Sequence, residues 1–204
     1  MTLAARRHIA RTCPIFAALI RRVGPCRMET DRQTPYEALV RAIAHQQLHG
    51  KAARTITARF VALGGTGFPT PAEVLSFDDA ALRGCGFSAG KIAAIRDIAL
   101  HAQRGVVPNR RQATRMSDAR LIERLTTIRG VGRWTVEMLL MFTLERPDIL
   151  PVDDFGVREG YRILYDLPEQ PKPRELAAIG EAWAPYRSTA AWYLWRAVDE
   201  ARAA

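Results

Sequence analysis

The run Leu125-Thr126-Thr127-Ile128-Arg129-Gly130-Val131-Gly132-Arg133-Trp134-Thr135 ends one helical pattern and starts another within a few residues. Upstream, Leu121, Ile122 and Leu125 recur at helical spacing behind Ser117, a favoured N-cap residue. Downstream, Met138-Leu139-Leu140-Met141-Phe142 is apolar nearly all round, which marks a buried central helix. Between them lies a tight turn containing Gly130 and Gly132. Glycine permits positive φ and close approach of a ligand to the backbone. Amides exposed at a helix start favour an anion such as phosphate. A grip of that kind holds nucleic-acid backbone without reading base sequence. Glycine turns also join helices for purely structural reasons, but a buried helix behind this one makes it a rigid mount.

Working outward, the chain repeats helical periodicity with almost no period-two alternation, so its class is all-α. Ile15, Phe16, Leu19, Ile20 and Val23 form one apolar face, ended by Gly24-Pro25. Tyr36, Leu39, Val40 and Ile43 form another behind Thr34-Pro35. A third carries Ala52, Ile56, Phe60 and Leu63 and stops at Gly64-Gly65. Thr70-Pro71-Ala72-Glu73 is a capping box with proline at the first helical position. A segment over 76–83 ends at Gly84; Ser88 then starts a longer helix that turns Ile92, Ile95, Ile98 and Ala99 inward and closes at Gly105. There is no internal repeat, and the proline-rich stretch 168–173 reads as a connector.

The composition is ordinary for a globular protein: 48% hydrophobic and 25% charged. The apolar run 15–20 is too short to span a bilayer, and residues 1–11 lack the apolar core of a secretory signal. A cytoplasmic, nucleoid-associated monomer with no obligate protein partner is the expectation. The net charge of +9 favours a polyanion, because each Arg or Lys that meets a phosphate releases condensed counterions. Lys51, Lys91 and Lys172 are the only lysines, so the surplus is carried by arginine. Cys13, Cys26 and Cys85 lack the paired spacing of a zinc or iron–sulfur site. His45 and His49 share a helix face at i, i+4, without a third ligand beside them, so a helix surface or a DNA contact is expected.

With these features in place, the chain resembles the helix-hairpin-helix DNA glycosylases, and within them the alkylbase branch typified by DNA-3-methyladenine glycosylase II. The 128–135 run looks like their hairpin, and Pro151-Val152-Asp153-Asp154-Phe155-Gly156-Val157 looks like their catalytic-aspartate segment. Ala182-Trp183-Ala184-Pro185-Tyr186-Arg187-Ser188, followed by Trp195, resembles their C-terminal region. Together with His45-Gln46-Gln47 these motifs cover the chain from about Thr34 onward. The resemblance implies two helical lobes with a cleft between them: one over about 36–130, the other formed by 1–35 with 131–204. No N-terminal β domain fits in the first thirty or so residues; only a helix precedes the core. It also implies Arg129, Gly130, Val131, Gly132, Arg133 and Thr135 as the DNA-binding hairpin. A sodium or potassium ion would be held there by the main-chain carbonyls of Thr126, Ile128 and Val131. No cofactor is required for the chemistry.

Asp153-Asp154 directly precede the helical pattern Val157, Tyr161, Leu164, and an aspartate pair in that position also serves as an N-cap. The resemblance assigns the catalytic role to Asp154 and leaves Asp153 to cap or support. Cleaving a glycosidic bond builds oxocarbenium character on the sugar, which a fixed carboxylate stabilises; the same group can orient an attacking water. A carboxylate at a helix start accepts amide hydrogen bonds and suits a stabiliser or base, not a proton donor. Alkylated purines fit, because alkylation already makes the base cationic and a good leaving group. Bifunctional relatives carry a Schiff-base lysine where Trp134 stands, and tryptophan has no nucleophilic amine, so no lyase activity is expected.

Such aromatics by themselves are more often core, but the resemblance implies Trp134 and Trp195, with Tyr193, as pocket walls for a flipped cationic base, each well-placed ring face contributing about 0.5–2 kcal/mol. Trp192 and Trp183 are expected in the core. Met138 joins the pocket where some relatives carry an aromatic residue, and it can pack softly against a base. The resemblance puts Gln47 in the gap left by the extruded base, with Leu48 as a second choice and Gln46 beside them; a simple helix–helix turn explains the same residues. The expected partner is duplex DNA containing a damaged base. Three rivals remain at this level: a glycosylase for oxidised or mismatched bases, a non-catalytic helix-hairpin-helix DNA-binding protein, and a basic helical RNA-binding protein.

Overall fold

Local capping chemistry sets most of the helix starts. The structure, a computed structural model, describes residues 2–47, 50–65 and 67–203. The helices are α1 (Leu3–Thr12), α2 (Pro14–Val23), α3 (Pro35–His45), α4 (Gly50–Leu63), α5 (Pro71–Ser76), α6 (Asp79–Cys85) and α7 (Ala89–Gln103). They continue with α8 (Arg110–Thr114), α9 (Asp118–Leu125), α10 (Arg133–Met138), α11 (Phe155–Leu164), α12 (Pro173–Gly180) and α13 (Arg187–Ala203). No strand occurs among the described residues. Thr34, Thr70, Ser88, Asn109 and Ser117 each accept a hydrogen bond from the amide three residues on, satisfying a donor the helix itself leaves unpaired. Among the described residues no helix is long and apolar enough to cross a membrane.

The chain divides into two compact units, Asp31–Leu139 and Met1–Thr30 with Leu140–Ala204. In the first, α7 packs against α3, α5 and α6, and α10 packs on α3 and α9. Its core holds Leu39, Ile43, Phe60, Val74, Leu82, Ile92, Ile95, Ile98, Leu121 and Leu125. In the second, α11 lies tightly against α13, and α1 and α2 pack on each other and on α13. The close approach depends on Gly160, where a Cβ would collide with the Leu194 carbonyl. The Arg187 guanidinium ties its helix start to Asp148 with two hydrogen bonds of 2.8 Å.

Several local expectations change. Two helices, α1 and α2, occupy the first thirty residues instead of one. The segment over 76–83 splits, because Asp78 caps a new helix that ends at left-handed Gly86. In α4 the buried stripe is Ala53, Thr57 and Phe60, while Ala52 and Leu63 are exposed. Thr57 tolerates burial because its hydroxyl donates to the Ala53 carbonyl at 2.9 Å. The unit boundary falls after Leu139 and not after Gly130, because Thr135 and Val136 bury into the first unit. There α10 widens into a π-helical turn, Leu139–Thr143.

Candidate active site

The hairpin lies in the first unit. Helix α9 ends at Leu125, and the turn is closed by bonds from Ile128 N to Leu125 O at 3.2 Å and from Val131 N to Ile128 O at 3.1 Å. The two glycines do different work. Gly130 adopts φ +78°, and a Cβ there would lie 2.9 Å from Ala94 Cβ and 3.4 Å from Ile43 Cδ1. It is required by both backbone shape and packing. Gly132 has φ −88° and caps α10, with open space where a Cβ would point. Its missing side chain keeps the start of the helix open to an approaching group.

Side chains from two other helices hold this turn. Asp97 of α7 accepts the Arg129 amide at 2.7 Å, and the Gln46 side-chain amide donates to the Gly130 carbonyl at 3.0 Å. Arg129 and Arg133 are exposed, and Arg133 also reaches back to Glu137 at 2.9 Å. Val131 and Thr135 are buried, so their side chains pack inward and only their main chain serves the turn surface. Trp134 is 40% exposed, unusual for so large an apolar ring, and Met138 is half-buried.

In the second unit, Asp154 is the N-cap of α11: its Oδ1 accepts from the Val157 amide at 2.8 Å. The capping role expected of Asp153 therefore falls to Asp154 itself, and Asp153 is exposed. The same Oδ1 accepts from Trp195 Nε1 at 2.8 Å. Trp195 in turn stacks on Phe142, with ring centroids 6.0 Å apart and planes 23° from parallel. Gly156 makes room for this arrangement, since a Cβ there would lie 2.8 Å from Trp195 Cδ1 and 3.2 Å from Asp154 Oδ1. A carboxylate so held can present charge at a fixed point.

Among the aromatic residues the structure discriminates. Trp195 is half-buried beside Asp154, whereas Tyr193 is fully buried. The Tyr193 hydroxyl donates to the Gly24 carbonyl at 2.8 Å, and burial pushes its ionisation up to about 12. Tyr193 is a core residue, not a pocket wall, because no ring face is open. Trp192 and Trp183 are buried as expected. Gln46 spends its amide on Gly130 and is therefore not a wedge in this arrangement. Gln47 is exposed and left-handed, φ +57°, a costly conformation for a residue other than glycine. Leu48, and His49 of the histidine pair, lie outside the described residues. His45 is exposed, and its ionisation is lowered by burial, then by Arg54, Arg41 and Lys91.

Sequence reasoning missed Phe155, Phe142, Lys91 and Asp97. Phe155 was legible: it directly follows Asp154 in sequence, and its ring is 64% exposed, unusual for so large an apolar side chain. The other three act through contacts distant in sequence, which periodicity does not report.

A glycine hairpin on a buried helix and an aspartate capping the next helix under a tryptophan are features of one repair-protein fold. The chain belongs to the HhH-GPD superfamily of base excision DNA repair proteins, whose pattern matches residues 40–185. Among curated proteins it is 45% identical over 192 residues to DNA-3-methyladenine glycosylase 1 of Schizosaccharomyces pombe, covering 93% of this chain and 84% of that protein. Among solved structures it resembles the 3-methyladenine DNA glycosylase of S. pombe in complex with abasic DNA, at TM-score 0.88 and 43% identity, covering 95% of each chain. It also resembles a DNA-3-methyladenine glycosidase from Bacillus halodurans, at TM-score 0.86 and 34% identity, covering 97% of this chain and 91% of that one.

Proposed function

We propose that this protein is a monofunctional DNA glycosylase that extrudes alkylated purines of the 3-methyladenine and 7-methylguanine type from duplex DNA and hydrolyses their N-glycosidic bond. The observation that carries the reading is the Asp154 carboxylate held between the start of α11 and Trp195, in a chain 45% identical to a 3-methyladenine glycosylase. The C1′–N bond breaks with its electron pair leaving on the base, which starts cationic and departs neutral. Asp154 stabilises the positive charge left on the sugar and orients the water whose oxygen closes on C1′; that water's proton passes to the carboxylate or to solvent. Trp195 and Phe155, in the same unit as Asp154, offer ring faces to the flipped base, and electron-rich rings favour a cationic one. Trp134 supplies no amine for a Schiff base, which supports hydrolysis without strand cleavage. Action on chromosomal DNA gives a cytoplasmic, nucleoid-associated location.

Gln47, exposed and backbone-strained at the end of α3, serves as the wedge that replaces the extruded base. We extend the reading to a sodium or potassium ion at the hairpin, held by the main-chain carbonyls of Thr126, Ile128 and Val131; uncharged oxygens suit such an ion, and the Ile128 carbonyl also accepts from the Val131 amide at 3.1 Å. When bound, the ion would lend positive charge to the contact with a DNA phosphate.

The test is release of free base from methylated duplex DNA. Asp154→Asn keeps a good N-cap, so it should bind duplex normally and lose about a hundredfold or more in excision. If wild type and Asp154→Asn release equally little base while binding equally well, the enzyme reading fails in favour of a scaffold. A lesion panel separates cationic substrates from oxidised or mismatched neutral ones.

A further inference from the structure

The residues before Gln47 are bound from below. A helix C-terminus leaves its last carbonyls without intrahelical partners. At the end of α3, Lys91 Nζ supplies the missing donors, with bonds of 2.9 Å to Ala44 O and 2.9 Å to Gln46 O. Lys91 projects from α7. Three residues on, Ala94 is the surface on which Gly130 rests, and three further on, Asp97 accepts the Arg129 amide. Positions 91, 94 and 97 share one face of that helix. A single stripe of α7 thus carries both the α3 terminus and the hairpin.

The Gln46 side chain closes the arrangement from the other side. Its amide crosses 84 residues of sequence to donate to the Gly130 carbonyl at 3.0 Å. Its own carbonyl is held by Lys91, so the residue is fixed at both ends. The next residue, Gln47, is exposed and left-handed.

We infer that Gln46 is a positioning residue for base extrusion, a bracket that holds Gln47 at a set distance from the phosphate-binding turn. The inference rests on the glycosylase reading above. A wedge works only if it stays in the helix while the strand is gripped; a loose wedge withdraws and the base restacks. Without the Gln46–Gly130 bond Asp97 still holds the hairpin through the Arg129 amide, so the turn keeps its phosphate grip, and Asp154 is untouched. The loss therefore falls on extrusion alone.

The experiment compares one alkylated purine in two duplexes, fully paired and opposite an abasic site, where extrusion costs less. Gln46→Met keeps the length and removes the donor. Its single-turnover excision should drop about tenfold or more on the paired duplex and stay within about threefold of wild type on the unpaired one. Affinity for undamaged duplex should stay within about threefold, because the phosphate grip remains. Equal losses on both duplexes, or no loss on either, overturn the inference. If Gln46→Met lowers the melting temperature by more than about 5 °C, Lys91→Met, which frees the Gln46 carbonyl, decides by the same comparison. Wild type inactive on both duplexes sinks the glycosylase reading, whatever the variants do.

Discussion

Trp195 and Asp154, separated by 41 residues, are joined by a 2.8 Å hydrogen bond from the indole N–H to the carboxylate oxygen that also caps α11. One oxygen thus serves helix stability and indole placement at once. Trp195→Phe keeps a ring against Phe142 and removes the donor together with part of the indole's bulk. A hydrogen bond to a charged group is worth about 1.5–3 kcal/mol, so single-turnover excision should fall about 10- to 100-fold. Unchanged excision in that variant would show that the indole does not orient the carboxylate.

Gly156→Ala tests the same pair from beneath. The new methyl would lie 2.8 Å from Trp195 Cδ1, and the ring has to move. Overpacking of this kind costs about 1–3 kcal/mol, readable as a lower urea midpoint at unchanged slope. Excision should fall at least as far as in Trp195→Phe.

The hairpin glycines should separate folding from binding. Gly130→Ala suffers twice, from φ +78° and from the Ala94 side chain at 2.9 Å, and should destabilise the protein by about 1–3 kcal/mol. Gly132→Ala has an ordinary φ and open space; alanine stiffens the unfolded chain but is the poorer N-cap for α10, so stability should change by less than about 1 kcal/mol. Its duplex affinity should nevertheless fall, with the salt dependence losing about one phosphate contact. Salt titrations of wild-type and Gly132→Ala binding that superimpose would remove the phosphate from that turn.

Glu159 gives a pH signature. Bonds from the Arg162 guanidinium, then from Gln170, hold its carboxyl down to about 2. A lowered carboxyl contributes stability above its unfolded value, and that contribution is lost as pH falls toward the folded one. Glu159→Gln should therefore be less stable than wild type at neutral pH, by at most about 1 kcal/mol for so accessible a pair. The gap should narrow as pH drops below about 4; denaturant melts at several pH values measure it. A gap that widens on acidification would contradict the assignment.

Gly160→Ala probes the α11–α13 contact, where the added methyl meets the Leu194 carbonyl, a backbone atom unable to swing aside. A loss of about 3 kcal/mol or more is expected, measured by thermal or urea unfolding.

What the sequence determined by itself was local. Helix starts at Thr34, Thr70, Ser88 and Ser117, the inward row Ile92, Ile95, Ile98, the glycine turn, and Asp154 at the head of α11 all follow from interactions within a few residues. Tertiary structure alone decided which faces and partners won. The aromatic run 192–195 lies on a helix covered on most sides, so its periodicity does not tell the open ring of Trp195 from the sealed ring of Tyr193. Gln46 and Gln47 are the same residue type side by side; only the arrival of Gly130 from 84 residues away binds one while the other stays exposed. Capping and spacing act along the chain and leave a mark in sequence, whereas packing chooses among faces by what comes to rest against them.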